Sequence, residues 1–266
     1  MRKIGAILLC LSLFLTMAGC GEKDTAISVS THSASDVESV SSVETGTAEE
    51  GGLDATGILE DAKAFLTGDL TSNEAQQLMQ GNLDAIFRNV ISSEYCQMVG
   101  STEEELIGEY YDGLDIEAGV FEQYFGIEYD TESIRSQIVD FYDQVYPKCD
   151  YTLGEVTRDD TGSFVATVTV RPLNIIDLIV EDVPTAAAAF YETYTQDVVD
   201  AMTEEEYRAY DQEWANIILT VAQENLADMG YLPEQTTEIK VSKQDGYWML
   251  TDESMQQLDL LLIQYS

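Results

Sequence analysis

The chain is poor in base and nearly free of histidine. Twelve lysines and arginines stand against fifty aspartates and glutamates, for a net charge of −38 over 266 residues. So negative a balance excludes unaided binding to nucleic acid, whose phosphates need cationic partners. It also excludes docking to anionic lipid through a basic patch. The single histidine, His32, lies in a segment without hydrophobic pattern. The remainder therefore has no Ser-His-Asp triad, no Cys-His dyad and no histidine zinc site of the common kind. No G-x-G-x-x-G, Walker loop, G-x-S-x-G or C-x-x-C occurs, so the usual signatures of nucleotide, acyl-transfer and dithiol chemistry are missing. Nothing in the pattern calls for a cofactor or a metal. No apolar run reaches the ~18 residues of a spanning helix.

What is present begins with an address. Arg2 and Lys3 precede an apolar stretch from Ile4 to Thr16, and Met17-Ala18-Gly19-Cys20 follows. A basic start, a short apolar core and small residues form the order of a secretion signal, over residues 1–19. The small pair before a cysteine resembles a bacterial lipobox. That resemblance implies cleavage between Gly19 and Cys20, with the Cys20 thiol carrying diacylglycerol. Buried acyl chains such as palmitate contribute about 0.8 kcal/mol per CH₂. The expected partner is then the lipid bilayer, held through Cys20 on the extracytoplasmic face of the cell membrane. Residues 20–52 have no aromatic and no leucine. They cannot bury enough apolar area to fold, and they read as a Ser/Thr/Glu-rich disordered tether. Residues 53–266 read as one domain with nine basic and forty-three acidic residues, so the acidity belongs to the folded part.

After removal of Cys10 and lipidation of Cys20, two cysteines remain. An exported protein permits a Cys96–Cys149 disulfide, closing a loop of about 54 residues that would stabilise by ~4 kcal/mol in the chain-entropy account. Two separate buried thiols are the other reading.

Helical spacing over 54–67 and 74–90 places Leu78, Leu83, Ile86, Phe87 and Val90 on one stripe. Thr102 and Thr203, each followed by three glutamates, are capping boxes. Further helices are expected after Thr102, over 119–126, after Thr131, over 185–201 with Pro184 in the first turn, after Thr203 to a Gly230 cap, and over 252–263. Period-two segments at 150–158 and 163–171 flank Asp159-Asp160-Thr161-Gly162, and 236–243 pairs with 247–251 across Asp245-Gly246. The fold class is α+β: helix-rich, with two β-hairpins forming a four-stranded antiparallel sheet. The repeated order of box, helices and hairpin suggests an αα-hairpin duplication.

The closing run Lys243-Gln244-Asp245-Gly246-Tyr247-Trp248-Met249-Leu250 resembles the last hairpin of NTF2-like or cystatin-like domains. With the lipobox, the chain resembles uncharacterised lipoproteins of Gram-positive bacteria. That resemblance implies helices packed on a curved antiparallel sheet, and it brings no catalytic residues.

Candidate chemistry is thin. The glutamates at 103–105 and 204–206 favour the positive ends of helices over catalysis. Asp112, Asp115 and Glu117 are spaced as weak cation ligands or as a solvated turn, and the Asp159-Asp160 pair has the same two readings. All fifteen tyrosines fall in the domain. Tyr110-Tyr111, Tyr191/Tyr194 and Tyr207/Tyr210/Trp214 are expected in the core, while any aromatic left exposed beside acids would suit a sugar, peptide or cation. No catalytic or metal-ligating residue is assigned. The expected function is non-catalytic binding or scaffolding of a protein, glycan or cationic ligand. The alternatives are a histidine-free hydrolase using two carboxylates on glycans, and a small solute-binding protein.

Overall fold

Three capping boxes begin the three longest helical stretches. Thr71 with Glu74, Thr102 with Glu105 and Thr203 with Glu206 each exchange side-chain and backbone hydrogen bonds, satisfying donors that a helix start leaves open. The computed structural model describes residues 62–265, so the signal, Gly19, Cys20 and the tether lie outside the described residues. Helix α1 is described over residues 62–67. Then follow α2 (Ser72–Arg88), α3 (Ser93–Val99), α4 (Glu103–Phe125), α5 (Glu132–Val145) and a 3-10 turn at Tyr146–Lys148. Strands β1 (Asp150–Leu153), β2 (Thr157–Arg158) and β3 (Phe164–Arg171) come next, then α6 (Ile175–Ala186), α7 (Ala188–Thr193), α8 (Gln196–Val199) and α9 (Glu204–Asn225). Strands β4 (Gln235–Gln244) and β5 (Tyr247–Leu250) and helix α10 (Asp252–Leu262) complete the described chain.

The fold is α+β, and both hairpins share one antiparallel sheet. Strand β3 pairs with β1 and β2 along one edge and with β4 along the other, and β4 pairs with β5. The expected strand over 150–158 is thus split. Gly154 donates to the Thr167 carbonyl at 2.8 Å, and a Cβ there would stand 3.0 Å from that oxygen. The β4–β5 turn has φ of 51° at Asp245 and 90° at Gly246, as a type I′ turn requires. Phe164, Ala166, Val168 and Val170 of β3 face the core with Ile239, Val241, Trp248 and Leu250, and α10 covers that face.

Several boundaries differ from the sequence reading. Gly113 and Gly119 lie inside α4, which runs unbroken to a left-handed cap at Gly126. Gly119 leaves room for Arg135 of α5, whose guanidinium nitrogens would lie 3.4–3.5 Å from an added Cβ. Arg135 ties the two helices, binding Asp115 at 2.7 Å and the buried Glu122 at 2.6 Å. Asp112, Asp115 and Glu117 are therefore helical, not a cation loop or a solvated turn. Pro184 sits late in α6, and the expected 185–201 helix breaks into the end of α6, α7 and α8. Helix α9 stops at Asn225, and Gly230 donates instead to Asn174 Oδ1 at 2.7 Å. The two boxes also open non-equivalent helices. The first stands two helices before its hairpin and the second directly before.

The thiols of Cys96 and Cys149 are both free. Cys149 is buried where the 3-10 turn meets β1, whereas Cys96 is half-buried on α3. Their electrostatic neighbours differ: Glu103 for Cys96, and Asp259, Arg88 and Glu117 for Cys149. Among the described residues no helix is long and apolar enough to cross a membrane.

Candidate functional site

Two places gather tyrosines and carboxylates. The first is a cavity between α2, α3, α4, the 3-10 turn and α10. Its apolar wall includes Ile86, Phe87, Leu106, Leu114 and Met255, and its polar lining is Glu109, Tyr110, Glu117, Tyr146 and Asp259. Amphipathic helices turn these polar groups inward because Glu117 lies three residues after Leu114 and seven after Tyr110, on the buried stripe of α4. Glu117 is 4% exposed, and its Oε2 has no hydrogen-bond partner among the described residues. Tyr146 donates its hydroxyl to Asp259 Oδ1 at 3.2 Å.

Burial pushes all three carboxyls up. Asp259 rises to about 6, held back by the Tyr146 hydrogen bond. Glu109 rises to about 7, through burial first and the charges of Glu105 and Asp112 next. Glu117 rises well above the usual range, from burial and then from the repulsion of Asp259. Acids of this kind suit proton transfer near neutral pH. The free volume, however, is about 30 Å³, room for one or two waters. A substrate pocket is roughly ten times larger. Among the described residues no group of three or more His, Cys, Asp and Glu is placed to hold a metal ion.

The second place is a surface. Seven rings run in contact across α7, α9 and the α4–α5 loop: Tyr129, Tyr207, Tyr210, Tyr194, Phe190, Tyr191 and Trp214. Phe190 alone is buried, Tyr191 is 53% exposed, and the others are half-buried. The core role expected for these tyrosines and Trp214 thus holds only at their inner edges. The reason is that α7 has six residues and covers α9 through one wedge, Phe190. Tyr110, by contrast, is core at 3% exposure, while Tyr111 is exposed.

The protein itself engages some polar edges of these rings. Tyr194 donates to Glu213 Oε2 at 2.7 Å and the Trp214 N–H donates to the Phe125 carbonyl at 2.7 Å, while burial and the Glu128 charge push the Tyr207 hydroxyl up. Buried Asp211 anchors the loop beneath by accepting from the backbone N–H groups of Glu128 and Tyr129. Arg208 lies over the Tyr129 ring at 4.6 Å and bonds Glu204 at 2.7 Å. Residues 186–214 hold eight acids and this one arginine.

The other candidates resolve differently. Asp159 orders its turn, accepting from Thr161 and Ser163, and pairs with Lys240 at 2.8 Å, which holds its carboxyl well below the usual range. Its cation is a lysine of the protein. Neither surface array nor cavity was assigned from sequence. The ring spacing signalled the first, and the Glu117 position on an apolar stripe was the available signal for the second.

Comparison with known proteins adds little. No protein family matches the chain, and no curated protein does. Among solved structures it is similar to ycdA, assigned as a lipoprotein, of Bacillus subtilis, with a TM-score of 0.47 and 16% identity over 78% of this chain. The chain spans about 59% of the length of that protein. A likeness of that extent assigns no family.

Proposed function

We propose that this protein is a lipid-anchored extracytoplasmic binding module that performs no chemistry and presents the tyrosine face to its ligand. The observation that carries the reading is the half-exposed ring array, set beside an acid cavity with room for only one or two waters. Aromatic faces offer large contact area at low entropic cost. The Arg2–Cys20 segment supports anchorage through the diacylglyceryl group. The NTF2-like or cystatin-like origin belongs to the same proposal and is supported by the closing hairpin under α10.

Labelling with radioactive palmitate tests the anchor. Label should enter the parent and not Cys20→Ala, and globomycin should leave precursor of full size. Unchanged processing under globomycin overturns the anchor. Trp214 fluorescence tests the face: a true ligand shifts the emission of the parent, and Tyr191→Ala weakens that response. The second reading, a carboxylate-pair hydrolase, rests on the raised carboxyls of Glu117 and Asp259. Glycan cleavage that is lost in Glu117→Gln would replace the binding module by the enzyme.

A further inference from the structure

Building on the tyrosine face as a binding surface, we infer that its ligand is a basic segment of another protein, whose arginine or lysine side chains stack on the exposed rings between the surrounding carboxylates. Three observations converge on that chemistry. Two polar edges of the array are spent within the protein, Tyr194 on Glu213 and Trp214 on the Phe125 carbonyl. The exposed ring faces carry negative quadrupole potential and attract cations. Carboxylates touch the array from several sides, with Glu213 on Tyr194, Glu128 on Tyr207 and Glu204 beside the Arg208–Tyr129 stack. The face holds one internal example of the contact: the Arg208 guanidinium 4.6 Å above Tyr129 with Glu204 completing its charge. Tyr191 has no such cation over it, and at 53% exposure it is the most open ring of the array.

The occupant cannot readily be this chain. Residues 21–61 carry more acid than base, and a second copy brings a further net charge of −38. Like-charge apposition opposes both. A neutral sugar could donate its hydroxyls to the carboxylates at contact but gains no attraction at long range, whereas a basic segment gains both attraction at long range and stacking at contact.

The test uses the full chain in detergent, titrated with three probes: a nine-residue Arg/Gly peptide, the matching Gln/Gly peptide and chitotriose. Calorimetry and tryptophan fluorescence read the binding. The Arg/Gly peptide should bind and the Gln/Gly peptide should not. Tyr191→Ala should weaken binding at least fivefold. Glu128→Gln with Glu213→Gln keeps acceptors for the tyrosine hydroxyls, and it should weaken binding and reduce its salt dependence. Glu103→Gln with Glu104→Gln, the same charge change on α4, should leave it within twofold. Equal weakening by the α4 pair means diffuse attraction to an acidic protein and overturns the inference. Tyr191-dependent binding of chitotriose or the Gln/Gly peptide, without the Arg/Gly peptide, overturns the basic ligand and keeps the face. If no probe shows Tyr191-dependent binding, the face itself falls with it.

Discussion

The acid cavity and the tyrosine face are built from the same two chemistries and differ in their water. In the cavity Glu109, Glu117 and Asp259 stand against Tyr110 and Tyr146, enclosed by α2, α4 and α10. On the face Glu128, Glu204 and Glu213 stand against Tyr207, Tyr129 and Tyr194, open to solvent. Enclosure raises the cavity carboxyls to the neutral range, so protons in place of cations neutralise them. At the surface, Glu206 at the start of α9 is held below its ordinary range by the Thr203 hydrogen bonds. The carboxylates of the face lie open to solvent, while the cavity gives much of its charge up. Desolvation decides which collection of carboxylates takes up protons.

If that contrast is right, truncating a ring should cost most at the cavity. Phe87 is 2% exposed and forms part of the cavity wall. Phe87→Ala should destabilise by about 3–5 kcal/mol, the usual range for a buried phenylalanine. Urea unfolding followed by far-ultraviolet circular dichroism measures it. A loss under about 1 kcal/mol would mean that the cavity region is already loose, and the assignment of its acids to buried, proton-bearing states would go with it.

The next effect is electrostatic. Asp259 has its pKa raised from 3.8 unfolded to about 6 folded. Between those values the folded chain keeps a proton that the unfolded chain has released. Its contribution is complete below pH 4 and is lost as pH rises through 6, at a cost on the order of 2 kcal/mol for a half-buried group. Glu109, raised to about 7, extends the loss to slightly higher pH. General repulsion in an acidic chain has the same sign, so the variant carries the test. Asp259→Asn should match the parent near pH 3.5 and exceed it in stability at pH 8. Parallel stability curves for the two proteins would show that Asp259 ionises freely.

How far these regions could be read from sequence differs in an instructive way. The boxes at Thr102 and Thr203, the Asp245-Gly246 turn and the alternation of β3 are local, and each appears as read. The helix expected separately over 119–126 is the end of α4, and Gly119 inside it leaves room for the Arg135 bridge between α4 and α5. Helix α6 was missed because its apolar run Ile175-Ile176-Asp177-Leu178-Ile179-Val180 fits a buried strand as well as a buried helix. The cavity was hidden because Asp259 meets Tyr146 across 113 residues, and no window on the chain contains both. The face was half visible: the tyrosine spacing was plain, but whether a helix would cover it depended on the shortness of α7.

A smaller effect separates the face from the helix that bears it. Thr203 caps α9 and holds Glu206 in place. Thr203→Ala should cost about 1 kcal/mol by equilibrium unfolding. Because Glu206 has a lowered pKa, its share of the stability is present at neutral pH and lost as pH falls through the carboxylate range, opposite in sign to Asp259. A Thr203→Ala deficit that grows below pH 4 would contradict that order.

The smallest expected stability change is the one that bears most on function. Tyr191 is 53% exposed, and its ring centroid lies 5.9 Å from those of Phe190 and Trp214. Its removal leaves no buried polar group unpaired and opens no enclosed cavity, so Tyr191→Ala should change unfolding free energy by about 0.5 kcal/mol or less. Phe190→Ala one residue earlier removes the buried wedge, and should cost several times more. Adjacent positions would then split, one carrying the fold and the other available to a partner. If Tyr191→Ala instead costs as much as Phe190→Ala, the ring is packing that happens to be visible from outside, and the tyrosine face reverts to a satellite core. A ring that contributes little to stability yet governs the Arg/Gly titration would have binding as its remaining role.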